Sequence, residues 1–157
     1  MFEYRCKINR VVDGDTVDVD IDLGFGIVLT DERVRIMGID TPESRTSNKV
    51  EKLFGKASKK RLQELLGEQS VLKTQINKDG EDMKGKFGRI LGDFIIEDPD
   101  SGLDRCVTEI LIEEGHCVPY FGQSKEDVQD KHLINRKRLV SEGLVVLEEG
   151  MDITEGI

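Results

Sequence analysis

Only three prolines and three cysteines occur in the 157 residues, and no apolar run approaches the ~20 residues of a membrane span. So few prolines leave room for one domain with one sizeable core. Cys6, Cys106 and Cys117 form no CxxC pair, which excludes the usual zinc spacings and a disulfide framework. Cys106 and Cys117 are expected to flank one helix, ~16 Å apart, too far for a bridge. All three read as reduced structural thiols. The two histidines, His116 and His132, lack metal spacing, and a solvated or packed role is expected for each. The start, "MFEYRCKINR", has no long apolar region of a signal peptide. The expectation is a cytoplasmic protein, unless the chain has been trimmed.

Positive charge is also short. The net charge is −9, which argues against wrapping nucleic acid through a broad basic face. The imbalance is local, however. Ser141 to Ile157 holds five acids and no Lys or Arg, and residues 144–157 read as an acidic, solvated tail beyond a domain of residues 1–143. Basic residues gather at Lys49–Arg61, Lys84–Arg89 and Lys131–Arg138.

What the sequence does have is clear periodicity. From Thr16 to Leu23, Val17, Val19, Ile21 and Leu23 alternate with Thr16, Asp18, Asp20 and Asp22. Period two predicts a strand with one buried face. Cys6–Val12 reads as the strand before it, joined through "DGDT", where Gly14 is free to take positive φ. A third strand is expected over Glu32–Ile39, stopped by Pro42. Lys49–Leu66 carries a helical apolar pattern closed by Gly67. Ser70–Asn77 and Gly88–Ile96 read as two further strands, and Val107–Glu114 and Asp127–Glu142 as two further helices. The fold class is therefore α+β, mainly a β barrel. Five short strands with a helix between the third and fourth is the order of an OB-fold barrel, which binds oligonucleotides on one face.

Five aspartates fall between Asp13 and Asp22. Asp18, Asp20 and Asp22 do not make an EF-hand loop. Leu23 stands where that loop needs Gly, and Leu29 where it needs Glu. They are the wet face of a strand. Asp13 and Asp15 sit in the turn instead, where two readings stay open: a cation site, or an Asx-type turn held by its own side chains.

Two more constellations bear on that choice. "RVRIMGIDTPES" supplies Arg35, Asp40, Thr41 and Glu43. Two carboxylates and a main-chain carbonyl near Asp15 would suit a hard cation. "KGKFGRIL" supplies Lys84, Lys86, Phe87 and Arg89, an aromatic to stack on a base and an arginine to hold phosphate oxygens. Each has an ordinary alternative: a polar strand end, and a basic loop.

Together, "VVDGDTV", "RIMGIDTPES", "KFGRIL" and "DKHLINRKRL" resemble the signature blocks of the staphylococcal nuclease (thermonuclease) family, across roughly Arg10 to Val140. The resemblance implies a five-stranded OB-fold barrel with three α-helices and a calcium-dependent phosphodiesterase of DNA and RNA. By the same likeness, Asp15, Asp40 and the Thr41 carbonyl match the calcium ligands, and Asp13 an acidic neighbour behind them. Arg35 and Arg89 match the phosphate-binding arginines, and Glu43 the carboxylate that activates or orients water. Lys86 and Phe87 match the nucleotide pocket, with phenylalanine where the family usually has tyrosine. Tyr120 and Phe121 both qualify as a second pocket aromatic. Calcium rather than magnesium rests on the resemblance alone.

These residue types suit the chemistry. Phosphodiester hydrolysis builds negative charge on phosphorus oxygens, where a cation and guanidiniums stabilise the transition state more than the ground state. The resemblance further implies DNA or RNA as the partner; no membrane and no obligate protein partner is expected, and the chain is expected to be a monomer. The alternatives are a nucleic-acid- or protein-binding barrel without catalysis, and a structural cation-binding domain. The complete set of Asp15, Arg35, Asp40, Glu43 and Arg89 weighs against both.

Overall fold

A computed structural model describes residues 2–75, 79–85 and 88–157. In chain order the elements are β1 (Glu3–Asp13), β2 (Thr16–Gly24), β3 (Ile27–Ile36), β4 (Ile39–Asp40), α1 (Lys49–Leu66), β5 (Gln69–Thr74), β6 (Ile90–Glu97), β7 (Asp104–Cys106), α2 (Val107–Glu113), β8 (Val118–Pro119) and α3 (Lys125–Ser141).

The main sheet runs β3-β2-β1-β5-β6-β7. It closes on itself because β3 also pairs with β6 in parallel, with Val34 opposite Ile90 and Arg35 opposite Leu91. Five strands thus make a closed barrel, as the OB-fold expectation requires, with three helices outside it. The alternation along β2 sends Val17, Val19 and Ile21 inward, all nearly solvent-free, to meet Val34, Ile36, Leu72 and Phe94. The apolar stripe of α1 adds Leu62, Leu65 and Leu66 to that core.

Helix α1 has the bounds read from the sequence. Asn48 Oδ1 accepts from the amides of Val50 (3.1 Å) and Glu51 (3.0 Å), a cap that contributes ~1 kcal/mol. Helix α3 starts earlier than expected, because Ser124 Oγ caps it by accepting from the Asp127 amide at 3.2 Å.

Other boundaries differ from the sequence reading. Strand β3 begins at Ile27, and its exposed apolar start (Ile27, Val28, Leu29) gave no alternation to read. It ends at Ile36. Gly38, at φ 82, then turns the chain so that Ile39–Asp40 pairs with β8 instead. Strand β5 ends at Thr74, and β6 begins at Ile90. Residues 76–78 lie outside the described residues.

The acidic tail is not a solvated appendage. Val145 is buried with Val50, Phe54 and Leu139, and Leu147 and Met151 pack against them. The Arg136 guanidinium, in a side chain only 4% exposed, donates from Nη1 to the carbonyls of Ile153 (2.9 Å) and Glu155 (2.7 Å). The tail's acidic residues are exposed, while Val145, Leu147 and Met151 seal the seam between α1 and α3.

Among the described residues, no helix is long and apolar enough to cross a membrane.

Candidate functional site

Asp13, Gly14 and Asp15 form the tight turn between β1 and β2. The register pairs Asp13 with Thr16, and Thr16 with Arg35 on β3. That second pairing brings Arg35 Nη1 to 3.1 Å from Asp15 Oδ2. Asp15 Oδ1 accepts from Thr16 Oγ1 at 2.9 Å, and its carbonyl from the Ile36 amide at 2.7 Å. Arg35 Nη1 also donates to the Ile36 carbonyl. The Asp15 carboxylate is thereby fixed in direction at the barrel's end.

The segment after β4 lies against this turn. Ser44 Oγ donates to Asp13 Oδ1. Gly14 does not adopt positive φ. Its missing side chain matters for space instead: a Cβ there would stand 2.4 Å from Ser58 Oγ and 3.4 Å from the Thr41 methyl. Helix α1 supports both segments from below. A Cβ on Gly55 would be 2.3 Å from the Glu43 carbonyl oxygen and 2.5 Å from the Ser44 nitrogen. The backbone carrying Glu43 therefore rests directly on the helix, while the Glu43 side chain is exposed.

Asp40 has a partner that sequence reasoning missed. His132 Nε2 of α3 lies 2.6 Å from Asp40 Oδ2, so the solvated or merely packed role expected for His132 is corrected. A gap of 92 positions and the absence of a spacing motif left no signal for it. Ser44, Gly55 and Ser58 carry no sequence signal either: Gly55 acts through close approach of backbone, Ser44 and Ser58 through side chains that meet residues distant in sequence.

The pairing of β4 with β8 sets Asp40 opposite Val118. Cys117, just before, is buried, and its thiol pKa is pushed up mainly by burial, then by the carboxylates of Asp93, Asp40 and Asp15. All three cysteines are free thiols.

The remaining expected residues are spread unevenly. Arg89 is half-buried and immediately precedes the β6 residue that faces Val34; its carbonyl accepts from the Gly85 amide at 2.6 Å. Lys86 and Phe87 lie outside the described residues. Tyr120 donates its amide to the Gly38 carbonyl at 2.9 Å. It borders a cavity of about 310 Å³ shared with Asp40 and His132, and a groove of about 540 Å³ shared with Met37, Asp93 and Cys106. Phe121 borders neither. It is 75% exposed, with Lys131 Nζ 5.8 Å from its ring centroid.

The strand-face aspartates have protein partners. Asp18 pairs with Arg33 at 2.8 Å, and Asp20 accepts from Asn9 Nδ2 and the Asp31 amide, each at 2.8 Å. Among the described residues, no three His, Cys, Asp or Glu side chains cluster as a metal-holding group. The two turns carry oxygen donors, the Asp15 carboxylate paired with Arg35 and the Asp40 carboxylate paired with His132. All-oxygen donors of this sort match a hard divalent cation, which takes waters and phosphate oxygens to fill its shell.

Comparison with known proteins gives a consistent result. The family described as "Staphylococcal nuclease homologue" matches residues 33–145. The chain is 31% identical over 132 residues to the SPbeta prophage-derived endonuclease YokF of Bacillus subtilis (strain 168), covering 78% of this chain and 40% of that protein. It is 38% identical over 84 residues to the thermonuclease of Staphylococcus intermedius, covering 54% and 44%. With endonuclease YncB of Bacillus subtilis (strain 168) it shares 26% identity over 151 residues, covering 96% and 64%. The chain spans less than two thirds of the length of each of these relatives.

Proposed function

The chain belongs to the staphylococcal nuclease family, and we propose that it is a calcium-dependent nuclease hydrolysing phosphodiester bonds of DNA, RNA or both. The observation that carries this reading is the junction of two turns distant in sequence. Asp13 bonds Ser44, Gly14 abuts Thr41, and Arg35 pairs with Asp15. Acidic oxygens and a guanidinium are thus gathered at one end of the barrel.

Asp15, Asp40 and the Thr41 carbonyl would hold the ion. When bound, the ion supplies positive charge to the phosphate oxygens and acidifies a bound water. The protein groups do the rest. Arg35 and Arg89 bind the equatorial phosphate oxygens, where charge grows in the transition state, and losing one such donor costs ~2.7–4 kcal/mol. Planar guanidiniums suit this because two parallel N–H groups match two phosphate oxygens. Glu43 takes a proton from the attacking water or aligns it. Its backbone support on Gly55 limits how far the carboxylate can stray. Tyr120, Phe87 and Lys86 receive the neighbouring nucleotide through stacking and charge. Asp13, by holding Ser44, keeps the Glu43 segment against the turn.

Digestion of a labelled single-stranded DNA tests the reading. Cleavage is expected with calcium and is expected to vanish in excess chelator. Undiminished cleavage in chelator would remove the cation from the mechanism.

A further inference from the structure

Five lysines of α1 have no place in the chemistry above: Lys49, Lys52, Lys56, Lys59 and Lys60. At about 100° per residue they fall within an arc of roughly 100° opposite the buried face of Phe54, Ser58, Leu62 and Leu65. Both acids of the helix lie outside that arc, since Glu64 is engaged with Arg61 and Glu51 sits on the half-buried side. None of the five lysines has an ion-pair partner among the described residues. A single-sign stripe of this kind is unusual in a chain of net charge −9, where mixed charge would serve solubility better.

The stripe also borders the candidate site. Lys52 and Lys59 lie about 60° and 40° around the helix from Gly55, the residue on which the Glu43 backbone rests. From Lys49 to Lys60 the rise is ~16 Å, the axial length of about five nucleotides of one strand of a duplex at ~3.4 Å each.

We propose that this face of α1 is the docking track for the nucleic-acid strand flanking the cleaved bond. The inference rests on the nuclease reading and deepens it. An acidic protein needs a local positive path to hold a polyanion. A path leading away from the site gives affinity that grows with substrate length and carries no sequence preference.

The test is binding of a 20-nucleotide single-stranded DNA in chelator across a salt series, paired with cleavage in calcium of that strand and of a dinucleotide. Wild type is compared with a fourfold variant, Lys49→Gln, Lys52→Gln, Lys56→Gln and Lys60→Gln. Glutamine keeps nearly the same helix propensity. The salt slope is expected to fall by about 3, at ~0.7 per lysine. KM for the long strand should rise while dinucleotide cleavage stays unchanged, and the matching Lys→Arg variant should retain the wild-type slope. A glutamine variant with the wild-type slope and KM overturns the track and leaves the nuclease reading intact. A wild-type protein that neither binds nor cuts the strand overturns both.

Discussion

His132 Nε2 stands 2.6 Å from Asp40 Oδ2, which ties the third helix to the strand end that starts the acidic segment. Under the nuclease reading proposed above, this contact would orient a carboxylate that holds the ion. Outer partners of ion-binding groups typically carry ~10–100-fold in affinity or activity. His132→Ala is therefore expected to lower kcat/KM for single-stranded DNA by about that factor, and to raise the calcium concentration needed for half-maximal rate. His132→Gln, which keeps an N–H donor, should lose less. Calcium titrations of initial rate check both.

Gly55 meets the Glu43 backbone with no room for a methyl group. In an open helix position, Gly→Ala would stabilise by up to ~1 kcal/mol. Here the added methyl must displace main chain, and overpacking costs ~1–3 kcal/mol. Gly55→Ala is expected to lower stability in urea unfolding and to slow cleavage, because the Glu43 segment is what moves.

The C-terminal segment is expected to stabilise the domain. Removing residues 144–157 uncovers Phe54 and Leu139 and leaves the buried Arg136 guanidinium without its carbonyl acceptors. Hydrogen bonds to a charged group are worth ~1.5–3 kcal/mol each. The shortened chain should unfold at distinctly lower urea than the full chain. A tail that was only solvated would leave the midpoint where it was.

Sequence pattern revealed the barrel better than it revealed the site's supports. The alternation of Val17, Val19 and Ile21, and the helical period of Val50, Phe54, Leu62 and Leu65, are direct imprints of burial on one face. The tail misled because its acids dominate composition, although Val145, Leu147 and Met151 occupy the buried positions. The residues Asp15, Arg35, Asp40 and Glu43 stood out as motif members. Their neighbours His132, Ser44 and Gly55 did not, because contact across tens of residues leaves no local period. Tyr120 and Phe121 looked equivalent in sequence. The structure separates them: Tyr120 borders the cavity that holds Asp40 and His132, and Phe121 does not.

His116 makes stability pH-dependent. It is buried, and Nδ1 has no hydrogen-bond partner among the described residues. Burial holds its pKa below 6.5; Glu114 opposes this in part, and Arg61 adds a still smaller depressing effect. A folded pKa below the unfolded one means that the unfolded chain takes up the proton first. The contribution is thus complete above pH 6.5 and is lost as pH falls through the depressed value. His116→Phe should flatten the loss of urea stability between about pH 7 and pH 5, with carboxylate titration setting what remains at lower pH.

The most direct test of the central claim is the rate at which Glu43→Gln cuts single-stranded DNA in calcium, beside wild type. General-base catalysis is worth ~10²–10⁴-fold, and the exposed side chain makes little demand on folding. A loss in that range is expected at unchanged thermal stability. Equal rates for the two proteins would mean that Glu43 takes no part in the reaction.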